Sequence, residues 1–233
     1  MIACNICSGE NFIPGPNGRM ARSGAPPRCA KCYSLERHRS LRKCFDHVPH
    51  EMLSWRRAIQ FAPDPSLDPA WFHSYEGSQY GGENSLDVQN IDRPSDAYDF
   101  ISLSSVLELV PDDRRAFREL LRIGSANCII HCTFVPLAAA TRHYDEPHGD
   151  FGRYHLYGLD VDEWFDTTLF DLTTLVTTGV DPVTGIEDPI HFFCRRDRDA
   201  EVLRASFAAM EPVADASAQT TPGMSERARS SDA

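Results

Sequence analysis

Apolar positions follow two regimes along the chain. Up to residue 34, Gly9, Gly15, Gly18 and Gly24 are interspersed with Pro14, Pro16, Pro26 and Pro27, so neither a long helix nor a sizeable core is expected there. Over 35–56, Leu35, Leu41, Cys44 and Phe45 form a one-sided stripe between Arg and Lys residues, which predicts a linking helix. From residue 57 the pattern becomes short apolar runs, at 58–62, 71–75, 98–103 and 128–134, separated by polar, helix-compatible stretches. That alternation predicts an α/β domain with a Rossmann-like doubly wound sheet. Its clearest helix is 113–123, where Ala116, Phe117, Leu120, Leu121 and Ile123 share one face and Arg114, Arg115, Arg118, Glu119 and Arg122 lie mostly on the other. Asp112 and Asp113 stand at its start, where carboxylates suit free backbone N–H groups. Runs at 169–178 and 190–194, with Gly179, Pro182, Gly185 and Pro189 between them, predict a terminal β-ribbon, and 199–210 a last helix. The chain thus divides into a module over 1–34, a linking helix over 35–56, an α/β domain over 57–211 and a disordered tail over 212–233, too poor in large apolar residues to order itself.

Composition narrows the classes. With 233 residues, 42% hydrophobic and 24% charged, the chain is sized for one globular domain with a small appendage, and a wholly disordered protein is excluded. The longest mainly apolar run, 128–140, contains His131 and Pro136 and falls short of the roughly 20 residues a bilayer span needs, so no membrane association is expected. Met1-Ile2-Ala3 leads directly into Cys4 without the charged and apolar regions of a secretory signal, and the expected compartment is the cytoplasm. The net charge of -11 is uneven: 10 Lys and Arg face 4 Asp and Glu through Arg57, and 13 face 30 beyond it. A basic head on an acidic body leaves nucleic acid as a partner only through the N-terminal module.

Eight cysteines fall as two close pairs and four scattered residues, Cys44, Cys128, Cys132 and Cys194, which is not a disulfide framework. Cys4-x-x-Cys7 and Cys29-x-x-Cys32 are 21 residues apart, the spacing of a two-knuckle, four-thiolate site. Four such bonds can fold a segment that has no core, and a closed site leaves no place for water, so the expected ion is structural zinc, with iron as the alternative. His38 and Cys44 lie close in sequence but are not needed to complete the set.

Several segments together resemble a family, the bacterial class I S-adenosylmethionine-dependent methyltransferases (methyltransferase type 11-like) with an N-terminal zinc-ribbon-like segment. The similarity runs from Cys4-Asn5-Ile6-Cys7 through Ser34-Leu35-Glu36-Arg37-His38-Arg39 to Phe61-Ala62-Pro63-Asp64, which looks like the family's Phe-Ala-Pro-Glu after its first strand. Asp96-Ala97-Tyr98-Asp99-Phe100-Ile101 resembles the family's Ser-Phe-Asp strand, and 106–113 its Val-Leu-Glu-His-Val-Pro-Asp-Asp, with Leu109 in place of His. The turn 123–127 replaces Leu-x-Pro-Gly-Gly, and Gly124 and Asn127 can still form it.

The resemblance implies a sheet whose ligands sit at the carboxyl ends of its strands, with S-adenosylmethionine as cofactor. The residues it assigns to the cofactor are Phe61, Ala62, Pro63 and Asp64 after the first strand, Glu76 after the second for the ribose hydroxyls, Asp87 and Val88 near the adenine, and Ser104 beside the methionine portion. The 62–67 loop contains no glycine, although such loops usually need one. Downstream, 151–158 is similar to a shortened form of the family's Phe-Gly…His-x-Arg-x-Tyr-Gly segment and is expected to cover the cleft. In the aromatic and histidine-rich stretch beyond residue 134, His143, His155 and Tyr157 are candidate proton acceptors, and Asp160 is the candidate cap of a helix running to Phe165. No spacing here picks out a metal site. Two readings follow: a methyltransferase acting on an unidentified acceptor, or a catalytically degenerate methyltransferase-fold binding protein whose basic zinc module docks a protein or nucleic acid.

Overall fold

Residues 98–104 are buried at every position and 124–133 at all but two, as expected of strands covered on both faces in the middle of a sheet. The structure, a computed structural model, describes residues 2–134, 138–149 and 151–208; the tail expected over 212–233 lies outside them. Phe12–Ile13 (β1) and Arg28–Cys29 (β2) pair as a short antiparallel ribbon. Glu36–Phe45 (α1) and His50–Leu53 (α2) follow. The expected continuous linking helix is therefore two helices, because Pro49 lacks an N–H and disfavours helical backbone at Val48. Next come Arg57–Phe61 (β3), Ser74–Ser78 (β4), Tyr98–Ser104 (β5), Asp113–Ile123 (α3) and Gly124–Thr133 (β6). A hairpin of Arg142–His148 (β7) and Arg153–Leu156 (β8), the single turn Val161–Trp164 (α4), Thr173–Val180 (β9), Glu187–Cys194 (β10) and Asp197–Ala208 (α5) complete the described chain. Among the described residues, no helix is long and apolar enough to cross a membrane.

The main sheet has the order β4-β3-β5-β6-β10-β9. β4, β3, β5 and β6 are parallel, while β10 runs antiparallel to both β6 and β9, so the expected terminal ribbon closes a mixed sheet. From β3 the chain passes to one side to form β4 and then to the other to form β5, which puts the topological switch point at the ends of β3 and β5. Alternate strand residues divide the core. Ala58, Phe100, Ile129 and Phe192 pack with Leu41, Phe45, Leu203 and Phe207 under α1, α2 and α5. Ile59, Ile101, Ile130 and Phe193 pack with Phe117, Leu120 and Phe165 under α3 and α4.

The helix expected over 113–123 has those bounds, and Asp112 caps it by accepting a hydrogen bond from the Arg115 amide at 2.9 Å. Two boundaries differ from the sequence reading. The second parallel strand begins at Ser74, because Asp68 caps a 3-10 turn, Pro69–Trp71, and Phe72 goes into the core. The turn expected at 123–127 is instead an irregularity inside β6: Tyr98 pairs with Gly124 but Phe100 with Ile129, and Gly124 is extended with φ -76.

A fully enclosed ion pair joins the N-terminal region to the far edge of this sheet. Arg39 on α1 donates to both carboxylate oxygens of Asp181, each at 2.8 Å, and both side chains are 0% exposed. Burial pushes the Asp181 carboxyl up, but the bonds from Arg39 and Thr184 outweigh it and hold it below the ordinary value of 3.8. Arg39→Ala is expected to destabilise the protein by ~3–5 kcal/mol in urea titrations, since it leaves a buried charge unpaired. Because Asp181 is depressed in the folded state, its contribution is present above the ordinary aspartate range and is lost as pH falls through it. Asp181→Asn should therefore unfold with a shallower acid limb than the wild type.

Candidate functional site

The N-terminal module is built around its four cysteines. Each Cys-x-x-Cys bends through the residue after its second cysteine, Ser8 at φ +58 and Tyr33 at φ +59, so the two halves have the same local shape. The Ser8 amide returns to the Cys4 carbonyl at 2.8 Å and the Tyr33 amide to the Cys29 carbonyl at 3.0 Å. The four Sγ atoms lie within 4.8 Å of one another, with Cys4 to Cys32 at 3.7 Å and Cys7 to Cys29 at 3.5 Å. Tetrahedral zinc with Zn–S bonds near 2.3 Å separates its sulfurs by roughly 3.8 Å, so the donor set fits that ion. The Ser34 hydroxyl, 3.4 Å from Cys4 Sγ and 3.3 Å from Cys32 Sγ, is placed to support the thiolates. His38 and Cys44 are turned to other surroundings: His38 faces the sheet edge and Cys44 lies in the core under α1.

At the switch point, Phe61 ends β3 within the core, and Ala62 bends the chain at φ +51 while its amide donates to the Ser78 carbonyl at 2.8 Å. Ser105, just past Ser104 at the end of β5, makes a second left-handed bend at φ +55. The loop thus takes the backbone shape that glycine would supply, using Ala62 instead. Pro63 sits against Gly77, where a Cβ would come within 2.9 Å of the ring, so the loop approaches β4 closely.

Asp64 turns back on itself, accepting from the Ser66 amide at 2.8 Å, with its other oxygen 3.6 Å from His38 Nε2. Around it, Tyr75 donates to Gln60 at 2.6 Å, and His131 is held between Ser102 at 2.9 Å and Thr133 at 3.0 Å. Burial keeps both histidines neutral, lowering His38 to about 4 and His131 to about 3, and raises the Tyr75 phenol to about 12 with help from Asp64. Gln60 Nε2, Ser66 Oγ and His38 Nε2 are buried with no hydrogen-bond partner. Gln60 and His38 were missed as site residues. The signal for Gln60 was a polar side chain inside an otherwise apolar strand, whereas His38 reads in the sequence as one more polar residue on a helix.

Glu76 does not follow a strand. It pairs with Ile59 in the middle of β4, and its carboxylate is taken up by Arg93, Tyr98 and Asn84. Gln79 is the first residue beyond β4. Asp87 forms a turn, accepting from the Gln89 amide at 2.9 Å, and Val88 is part of the core beside α3.

The three candidate proton acceptors gather at one place, joined by Trp164 and by Asp113, which the sequence marked only as part of a helix start. β8 packs on a 3-10 turn, Leu107–Leu109, and His155 Nε2 lies 2.8 Å from the Val110 carbonyl. His143 Nδ1 is 2.7 Å from His155 Nδ1 and its ring stacks on Trp164. Desolvation and the neighbouring His155 lower the His143 pKa. Tyr157, 0% exposed, donates to Asp113 at 2.8 Å, and Trp164 donates to the same oxygen at 2.7 Å. Burial and Asp113 push the Tyr157 phenol well up, so it keeps its proton at neutral pH. Asp160 precedes α4 without capping it; its carboxylate accepts from the Thr141 amide and hydroxyl.

Two arginines of the basic head are engaged within the protein. Arg39 is enclosed, and Arg42 donates to the Pro65 carbonyl at 3.0 Å with its guanidinium 4.5 Å from the Trp71 ring centre. Both arginines brace the protein's own loops.

Among solved structures, the chain is similar to the 1,6-didemethyltoxoflavin-N1-methyltransferase of Burkholderia thailandensis, a structure with 1,6-didemethyltoxoflavin and S-adenosylhomocysteine bound. The TM-score is 0.50 at 8% identity, over 66% of this chain and 77% of that one. It is also similar to S-adenosylmethionine-dependent methyltransferases of Thermotoga maritima (TM-score 0.46, 10% identity, 68% and 89% covered) and Mesorhizobium loti (0.44, 10%, 65% and 95%). At such identities the likeness shows the fold, a Rossmann-like sheet of the class I methyltransferase type. No protein-family model and no curated protein matches the sequence.

The cysteine geometry leads to a direct expectation. Cys32→Ser should lower bound zinc by one equivalent in elemental analysis and speed hydrogen exchange at the Cys29 and Ala30 amides, while exchange in β5 and β6 stays slow. Unchanged zinc content would contradict a four-thiolate site.

Proposed function

We propose that the chain is an S-adenosylmethionine-dependent methyltransferase that binds its cofactor across the carboxyl ends of β3 and β5. One observation carries the reading: at the switch point of a methyltransferase-type sheet, buried donors on Gln60, Ser66 and His38 stand without partners around the 62–66 loop. Buried polar groups are nearly always satisfied, and leaving one unpaired costs roughly 1–3 kcal/mol. A ligand with a carboxylate and hydroxyl oxygens could accept from them, and S-adenosylmethionine carries both. The left-handed bends at Ala62 and Ser105 support the same reading, since strained backbone collects at ligand sites and here lies just past the ends of two adjacent parallel strands.

In this reading Phe61, Ala62, Pro63 and Asp64 form the floor under the cofactor, Ser104 lies beside its methionine portion, and Asp87 and Val88 remain the adenine side. Gln79, level with Ala62 at the end of β4, takes the place first expected for Glu76, because the Glu76 carboxylate is already held inside the sheet. Methyl transfer from a sulfonium is an in-line displacement, so the protein's task is alignment and exclusion of water more than bond chemistry. The hairpin β7–β8 forms the acceptor's side of the cleft, and the acceptor itself is unidentified. The zinc module is structural, and the soluble α/β body is the catalytic part.

Calorimetric titration of zinc-replete protein with S-adenosylhomocysteine tests the proposal. Binding is expected, and its absence in folded protein would overturn it in favour of a non-catalytic binding role. Gln60→Leu removes a buried amide of similar size. It should weaken S-adenosylhomocysteine roughly 10- to 100-fold, the effect of losing a hydrogen bond to a charged group, with only a modest loss of thermal stability from the Tyr75 hydroxyl that loses its acceptor.

A further inference from the structure

Asp113, His143 and His155 each bring one donor atom within 4.8 Å of the other two, on the rim of a cavity of ≈ 370 Å³ bordered by Arg114, Tyr144, Asp145 and Tyr154. We propose that these three side chains form a second metal site, for a divalent transition ion of the zinc type, with its remaining coordination positions open to that cavity and to an oxygen ligand within it.

The first argument is the tautomer of His155. Its Nε2 is 2.8 Å from the Val110 carbonyl, which can only accept, so Nε2 carries the hydrogen and the Nδ1 lone pair points the other way. It points at His143 Nδ1, 2.7 Å away, and towards Asp113 Oδ2, 3.6 Å away. A backbone carbonyl that fixes one ring nitrogen so that the other can ligate is the usual outer support of a metal-bound histidine.

The second argument is charge. Asp113 is 2% exposed, and the hydrogen bonds to its Oδ2 come from neutral groups, the Tyr157 hydroxyl and the Trp164 indole. Those two bonds orient the carboxylate without neutralising it. Asp113 is not needed as a helix cap, a role Asp112 fills. A buried carboxylate facing two imidazoles, with only neutral donors upon it, is a ligand set suited to a cation.

The third argument is spacing. Bonds of 2.0–2.1 Å at a tetrahedral centre separate neighbouring donors by roughly 3.4 Å. The observed separations of 2.7 Å and 3.6 Å bracket that value, and His143 is the exposed member, free to withdraw by a small ring rotation. A plain N–H···N bond between the imidazoles would explain the 2.7 Å distance alone, but neither the carbonyl lock on His155 nor the donor pair on Asp113. Two histidines and one carboxylate make a three-ligand set that leaves positions open, unlike the closed four-thiolate set of the N-terminal module.

The test is zinc stoichiometry on the full chain, by elemental analysis after equilibrium dialysis. Wild type is expected to hold two equivalents and His143→Ala one, with unchanged thermal unfolding because His143 is exposed. Tyr157→Phe, which removes only the hydroxyl that orients Asp113, should keep both sites but weaken the second roughly 10- to 100-fold. One equivalent in wild type, or two equivalents held equally by wild type, His143→Ala and Tyr157→Phe, would overturn the proposal. Cobalt loading gives a reading independent of activity: a site with nitrogen and oxygen donors adds weak visible bands that His143→Ala abolishes, whereas the thiolate bands of the Cys4, Cys7, Cys29 and Cys32 cluster persist.

Discussion

A guanidinium sealed from water must have its N–H groups answered by the protein, and Arg39 meets this by joining the N-terminal module just before its helix to a turn 142 residues away. Nε and Nη2 bind Asp181 at the β9–β10 turn, Nη1 binds the Ser34 carbonyl and hydroxyl, and Nη2 also binds the Pro27 carbonyl. The module, α1 and the terminal hairpin are thereby fixed to one another. The geometry of the candidate cleft depends on this fork, because α1 also carries His38, which faces Asp64, and Arg42, which grips Pro65 and stacks on Trp71. The N-terminal module is thus more than an appendage beside an independent sheet: it fixes the helix that walls the switch point. A buried ion pair is a poor source of net stability but an effective source of orientation, which is the role this one has.

The α/β class, the helix at 113–123 and the terminal ribbon were legible because their signals are local. Hydrophobic period and a capping aspartate lie within one segment, and α3 shows both. The second strand was misplaced by three residues because Trp71 and Phe72 look like strand residues, while their burial comes from a 3-10 turn capped by Asp68 and packed under α1. That slip moved Glu76 from a strand end to a strand middle, where Arg93 engages it. Short apolar runs carry no information about which element packs on them, so errors of this kind fall on the residues next to functional loops.

The glycine-free loop shows a different limit. A left-handed bend is usually read from glycine, and here Ala62 and Ser105 make it at φ +51 and +55. Each costs roughly 1–2 kcal/mol as a left-handed L-residue, which the surrounding contacts must offset. At Ala62 those contacts are visible: its amide bonds to Ser78, and Pro63 is lodged against Gly77. The glycine that permits the close approach is thus present, but it sits on the neighbouring strand instead of in the loop. Only the tertiary pairing of β3 with β4 brings the two together, and the sequence of the loop alone does not contain it.

Ser105 links the two chemical regions of the carboxyl edge. Ser102 and Ser104 lie on the same side of β5, where Ser102 meets His131 beneath α1, while Leu103 points to the α3 side. After Ser105 the chain turns into the 3-10 segment at 107–109, and Leu107 enters the core beside α3. That segment delivers the Val110 carbonyl to His155 and, two residues before α3, places Pro111 so that Asp112 caps the helix and Asp113 turns inward to Tyr157 and Trp164. The left-handed residue Ser105 therefore stands between the end of β5 and the segment that leads to the histidine–aspartate cluster. The tandem aspartates after Pro111 follow the same logic. A single helix needs one cap, so the second carboxylate was available for another use, and the hairpin that supplies its partners lies some thirty to forty residues further along the chain.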